Sequence, residues 1–193
     1  PSLYRPLRPE TKEIRVVEVA PSESFDQPLH LTLRHTSLIA ENRLKYEALS
    51  YCWGDIRQTV GITLVGDNAS SVEFQISSNL ERAIKRIRQP KEIRVFWIDL
   101  LCINQSDTNE RGRQVALMCD VYALAESVSV WLGELDEIIH TEEDLDVYQA
   151  MEHAYESDKS RDKLHVPAND ENGVRNWFND RVFLRPWFQR VWV

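Results

Sequence analysis

Cysteine is scarce: Cys52, Cys102 and Cys119 are all the chain contains, and no two of them stand in CxxC spacing. An odd count without a pairing pattern excludes a disulfide framework and fits a reducing compartment, the cytoplasm. The histidines, His30, His35, His140, His153 and His165, form no cluster of metal-ligand spacing with these thiols, so no zinc site is expected. Glycine is also sparse, and no GxGxxG occurs, which argues against a Rossmann dehydrogenase. The longest apolar run, Val95 to Ile103, is too short for a bilayer span and contains Asp99. No secretory signal opens the chain. Basic residues are outnumbered, 23 against 31 acidic, giving a formal net charge of -8. With no basic face, duplex DNA or RNA is not an expected partner. A nucleotide-sized ligand needs only a few local donors and stays open.

What remains is ordinary globular material, 42% hydrophobic and 28% charged, in a chain long enough to bury a core as one domain. It begins at Pro1 without Met and ends at Val193 in mid-pattern, which reads as part of a longer protein. Glu13–Ala20 and Leu29–Leu33 alternate as strands, and Tyr46–Tyr51 reads as another. Thr59–Val65 and Val72–Ile76 flank Gly66-Asp67-Asn68 as a hairpin. Ser78-Asn79-Leu80-Glu81 has capping-box form, and Leu80, Ala83, Ile84 and Ile87 follow at helical spacing.

Arg94–Gln105, RVFWIDLLCINQ, is the densest block. It begins as a buried strand and delivers Asp99, Asn104 and Gln105 to its C-terminal edge, where open α/β sheets build binding crevices. Asp107-Thr108-Asn109-Glu110 then opens a helix expected to run from about Thr108 to Ala125. Its inward stripe is read as Val115, Met118, Cys119 and Tyr122. Ser127–Leu132 is the next strand, the expected neighbour of the Arg94 strand. Two strand-helix-strand passes point to a largely parallel sheet flanked by helices, with the hairpin and N-terminal strands added to it. Within the single domain, residues 1–45 form N-terminal strands and a loop, and residues 46–133 the α/β core. Residues 134–193 form an acidic helix (Thr141–Glu156), a polar loop and an aromatic tail with six large rings between Asn176 and Val193.

Three blocks in order resemble the fungal heterokaryon incompatibility (HET) domain. They are Tyr46–Asp55 (YEALSYCWGD), Trp97–Gln105 (WIDLLCINQ) followed by Asp107, Glu110, Arg111, Gln114, Val115, Met118 and Tyr122, and Arg185–Val193 (RPWFQRVWV); VSVWLG, Val128–Gly133, lies between the last two. The resemblance implies a role in allorecognition and programmed cell death, acting through protein partners or self-association. It also implies a remote likeness to Toll/interleukin-1 receptor (TIR) domains, hence a TIR-like or flavodoxin-like sheet. In NAD-cleaving TIR domains a helical Glu four positions after a Trp is the catalytic carboxylate. HET domains typically continue Trp-Val-Val-Gln-Glu, which would place that Glu just past Val193.

Cleaving the bond between nicotinamide and ribose passes through an oxocarbenium-like state, and the cationic leaving group needs no general acid. A carboxylate to steady the charge and a ring to stack a base would carry the step. Trp53 and Trp192 are the candidate rings, each more readily read as a core ring. Ser50, Tyr51, Asp55, Asn104 and Gln105 are candidate nucleotide contacts. Arg111 sits in a first helical turn, where the dipole disfavours a cation, so it is expected to pair Asp99 or hold a phosphate. Asp99, expected to be buried, and Glu110 are read as structural polar residues. NAD enters as a candidate substrate, not a resident cofactor. The competing reading is a non-catalytic interaction module.

Overall fold

In the computed structural model the described residues are 3–55, 57–66, 69–134, 141, 142, 144, 145, 149 and 181–188. The chain divides into two compact units, Pro1–Trp131 and Leu132–Val193.

Strand β1 (Glu13–Val19) is buried along nearly its whole length. Ile14 and Val16 point to one hydrophobic cluster and Val17 and Val19 to the other, as alternation across a pleated sheet requires. Covered on both faces, β1 belongs in mid-sheet. Beside it lie β2 (His30–Ser37), antiparallel, and β6 (Arg94–Trp97), also antiparallel. The full order is β5-β4-β2-β1-β6-β3-β7, with β3 Glu47–Ser50, β4 Thr59–Val65, β5 Ser71–Ser77 and β7 Val128–Val130. The pairings set β1 and β5 against the direction of the other strands. The expected α/β architecture is thus a seven-stranded mixed sheet flanked by helices. The N-terminal strands are its centre, not an addition to it. Glu13 and Arg15 are charged, yet both side chains are buried and paired, as a central strand requires.

A second difference lies at β3. The expected β6–β7 neighbours are separated, because β3 pairs in parallel with both of them. Chain order alone does not reveal this insertion.

The helices cover opposite faces. α1 (Ser78–Ile87) sends Leu80, Ala83 and Ile84 into the cluster with Val17, Leu49 and Phe96. Its N-cap is Ser77, whose hydroxyl accepts from the Leu80 N–H, one residue earlier than the capping-box reading. On the other face, Val121 joins Ile14, Val16, Tyr46 and Trp97. The expected long helix is broken into α3 (Thr108–Ala116) and α4 (Met118–Ala123), after the single turn α2 (Asp99–Cys102). The break is at Leu117, whose N–H reaches Gln114 O as well as Val115 O, a 3₁₀-type tightening of the last turn.

The inward face of α3 also differs from expectation. Glu110 and Gln114 point inward, while Val115 is 52% exposed and Cys119 faces solvent; Met118 and Tyr122 do pack on the core. The reason is Arg15. Its fully buried guanidinium grips Glu110 at 2.6 and 3.0 Å and also donates to Cys102 O at 3.1 Å. An unpaired buried charge is intolerable, so this pairing outranks the apolar stripe in orienting the helix.

The second unit is described in part. Thr141 and Asp144 cap each other reciprocally, and Arg181 Nε donates to Asp144 at 2.9 Å. Phe183 and Trp187 each meet Phe188 edge to face. The rest of the expected Thr141–Glu156 helix, the loop after it, Trp177, Phe178 and Trp192 lie outside the described residues. Among the described residues no helix is long and apolar enough to cross a membrane.

Glu13 gives a pH signature. Burial pushes its carboxyl up, but hydrogen bonds from the Arg8 side chain and backbone, with Arg5, outweigh burial and hold the pKa at about 2. A folded value below the ordinary 4.5 stabilises fully above that pH and is lost as pH falls toward 2. Glu13→Gln should therefore flatten the acid limb of stability across this window, read as urea midpoint against pH. Parallel acid limbs in parent and variant would contradict it.

Candidate functional site

Three adjacent parallel strands, β6, β3 and β7, end on one edge of the sheet, in register Ala48 with Trp97 and Ser50 with Val130. The segments leaving them are Tyr51–Asp55, Ile98–Gln105 and Trp131. Because β3 is flanked by the two strands that follow it in this parallel set, with helices on opposite faces, a crevice is expected outside its carboxyl end.

Trp53 and Asp99 meet there. The indole Nε1 donates to Asp99 Oδ2 at 3.0 Å while the ring remains 44% exposed. Asp99 Oδ1 accepts from its neighbour's backbone, Leu100 N, at 2.7 Å, which fixes the first turn of α2. Asp99 is half-buried rather than buried, and Arg111 is not its partner. Arg111 is exposed and, among the described residues, its side chain reaches only Gln105 O, at 3.4 Å. The expected buried ion pair of this region is formed by Arg15 and Glu110 instead. Arg15 lies 95 residues away in sequence, where no local spacing pattern can signal the contact.

The other candidates divide. Gln105 Nε2 donates to Asp99 O at 3.1 Å, so Gln105 belongs to the Trp53–Asp99 group. Asn104 shapes the turn before α3: its Oδ1 accepts from Ser106 N, and its backbone N–H donates to Glu110 Oε1 at 2.7 Å. Asp55 is exposed and held by Arg57, whose hydrogen bonds push its carboxyl below the usual range. Ser50, the last residue of β3, and Tyr51, just after it, are both buried, so neither presents its side chain at the surface. Trp192 lies outside the described residues.

Asn79 and Trp131 were missed from sequence. Asn79 Nδ2 donates to Cys52 O at 2.7 Å, and its Oδ1 accepts from Trp131 Nε1 at 2.9 Å. One amide thereby ties the Cys52-Trp53-Gly54 loop to the first turn of α1 and to the end of β7. Gly54 adopts φ +76, and a Cβ there would lie 3.0 Å from Asn79 Cβ. Both the left-handed backbone and the close approach require glycine. The signal was present, an amide just inside a helix start, but it reads locally as part of a cap.

The environment of Cys102 disfavours its thiolate. Burial pushes the Cys102 thiol up to about 12, and its sulfur accepts the Ile98 N–H. Among the described residues no group of His, Cys, Asp and Glu could hold a metal ion.

The family model described as heterokaryon incompatibility protein (HET) matches residues 46–193. The chain belongs to the heterokaryon incompatibility (HET) family. It is similar to heterokaryon incompatibility protein 6, OR allele, of Neurospora crassa, 29% identical over 216 residues. That alignment covers 93% of this chain and 31% of the relative, so the chain spans under a third of that protein's length. No solved structure gives a significant match. The matched HET segment opens at Tyr46, the residue before β3, and includes Trp53, Asn79, Asp99 and Gln105. Arg15, and the β1 and β2 strands on which its sheet is built, precede that segment.

Asn79→Ala should leave Cys52 O and Trp131 Nε1 without their partner, at a cost of about 1–3 kcal/mol, measured by urea unfolding. An unchanged midpoint and an unmoved Trp131 indole resonance would show that the latch is not needed.

Proposed function

We propose that this HET domain serves in fungal heterokaryon incompatibility, and that the crevice at the ends of β6, β3 and β7 binds a nicotinamide dinucleotide for cleavage. The relative's name supports the first part. For the second, the observation that carries most weight is Trp53: an indole pinned at its Nε1 by Asp99 yet exposed on its ring. A ring fixed in orientation before binding loses little entropy when a base stacks on it. The order β6-β3-β7, a strand between its two successors, supports the TIR-like or flavodoxin-like reading, whose ligands lie at this position. Arg111, exposed at the α3 start beside Gln105, is available for a phosphate.

In the reaction, the bond between ribose C1′ and the nicotinamide nitrogen breaks and water adds to C1′. Nicotinamide leaves neutral, ADP-ribose forms and one proton is released. Asp99 already accepts two N–H bonds, which suits holding Trp53 more than facing the ribose. The charge-stabilising carboxylate is therefore taken to be the Glu that follows the RVWV block in the family pattern.

The alternative, a non-catalytic interaction module, draws on Val128 and Val130, exposed on the last strand of the described sheet.

The test measures NAD binding by this chain and nicotinamide release by the full-length protein. Trp53→Ala should weaken NAD binding roughly five- to a hundredfold, the range for losing one stacked base, and should lower turnover. Absence of NAD binding together with absence of nicotinamide release from the assembled full-length protein would replace this reading with the interaction module.

A further inference from the structure

A hollow of about 270 Å³ opens on the α3 side of β1, built from residues outside the Trp53 crevice. Leu7, Pro9, Ala116 and Leu117 make its apolar walls. Gln114 completes the wall and is only 3% exposed. Its Nε2 donates to Glu13 O at 3.1 Å, but its Oε1 has no hydrogen-bond partner among the described residues. Buried acceptors are nearly always paired, so an orphaned one in a cavity wall marks a place where a donor is wanted.

Charge at the same hollow is one-sided. Two carboxylates line it, Glu13 and Glu110. Both are already neutralised, the first by Arg5 and Arg8, the second by Arg15. Lys12 is bound to Asp120 at 2.8 Å. Arg113 is exposed at the rim and makes no ion pair among the described residues. The uncommitted charge is therefore positive.

We infer that this hollow is a binding site for a small amphipathic organic acid. The ligand has a flat or compact apolar body for the Leu7–Leu117 walls, one N–H or O–H donor for Gln114 Oε1, and a carboxylate for Arg113. The volume is at the small end of ligand pockets and suits a body the size of an indole or naphthalene ring. The site is independent of the nucleotide reading of the crevice and stands if that reading fails.

The test titrates the chain with indole-3-acetate and follows backbone amide resonances. Saturable shifts at Leu7, Lys12, Gln114 and Leu117 are expected, with a dissociation constant on the order of 0.1–1 mM for a ligand of this size. Indole, which lacks the carboxylate, and naphthalene-1-acetate, which lacks the donor, should each bind about tenfold more weakly. Arg113→Gln, a surface change that spares the fold, should erase the preference for indole-3-acetate over indole and leave the other preference intact. Gln114→Leu, checked for a native melt, should erase the preference over naphthalene-1-acetate. Shifts confined to the Trp53 crevice, no saturation with any probe, or equal binding of the three probes by the parent chain would overturn the inference.

Discussion

A guanidinium with no exposed surface has to find its whole solvation inside the protein, and in this HET domain Arg15 sets that requirement. Removing such a charge from water costs several kcal/mol, recovered only through bidentate pairing and further acceptors. Arg15 obtains them from Glu110, Cys102 O and Arg5 O, with the Tyr4 ring 4.9 Å from its guanidinium carbon. Five parts of the chain are fixed in one set of bonds: the N-terminal segment, β1, α2, the turn after it and α3. Glu110 extends the set by accepting the Asn104 N–H, and so holds the turn from which Gln105 reaches Asp99. The position of the crevice wall is thus a consequence of a charge buried in the middle of the sheet.

The crevice itself follows from topology. Placing β3 between β6 and β7 brings three strand ends together, with helices on opposite faces of the sheet, the arrangement in which a binding crevice is expected. Short polar links then define its shape: Asp99 orients Trp53, and Asn79 fastens the loop that carries Trp53 to α1 and β7. Gly54 permits that loop to pass close to Asn79. The polar residues of the crevice mostly hold other residues in place, which leaves an oriented indole face and the exposed Arg111 to meet a ligand.

Much of this was legible in the sequence where the signal is local. The strands, the hairpin and the apolar side of α1 come from periodicity, and the Asp99–Gln105 turn from residues close in the chain, whereas the meeting of Asp99 with Trp53 spans 46 residues and was not read. What could not be read depends on distant partners. EIRVVEV shows strand alternation, but the partners of Glu13 and Arg15 cannot be assigned by spacing, so its place at the centre of the sheet is not evident. The inward face of α3 was misread for the same reason. Val115 fits an apolar stripe better than Glu110 does, until a buried arginine is known to face the helix. Asn79 was recognised as part of a helix start, but its second role depends on Trp131, far along the chain. The insertion of β3 between β6 and β7 leaves no local trace either.

The most direct measurement combines stability with the Trp53 indole resonance in Glu110→Gln and in Arg15→Met/Glu110→Leu. If the buried pair organises both core and crevice, Glu110→Gln should cost about 3–5 kcal/mol by leaving Arg15 uncompensated, and the Trp53 indole N–H should move. The double variant should regain most of the stability but not the parent indole position, because a leucine at position 110 offers the Asn104 N–H no acceptor. A loss below about 1 kcal/mol in Glu110→Gln, within the range of an ordinary surface change, together with an unmoved Trp53 indole, would contradict the organising role of the Arg15–Glu110 pair.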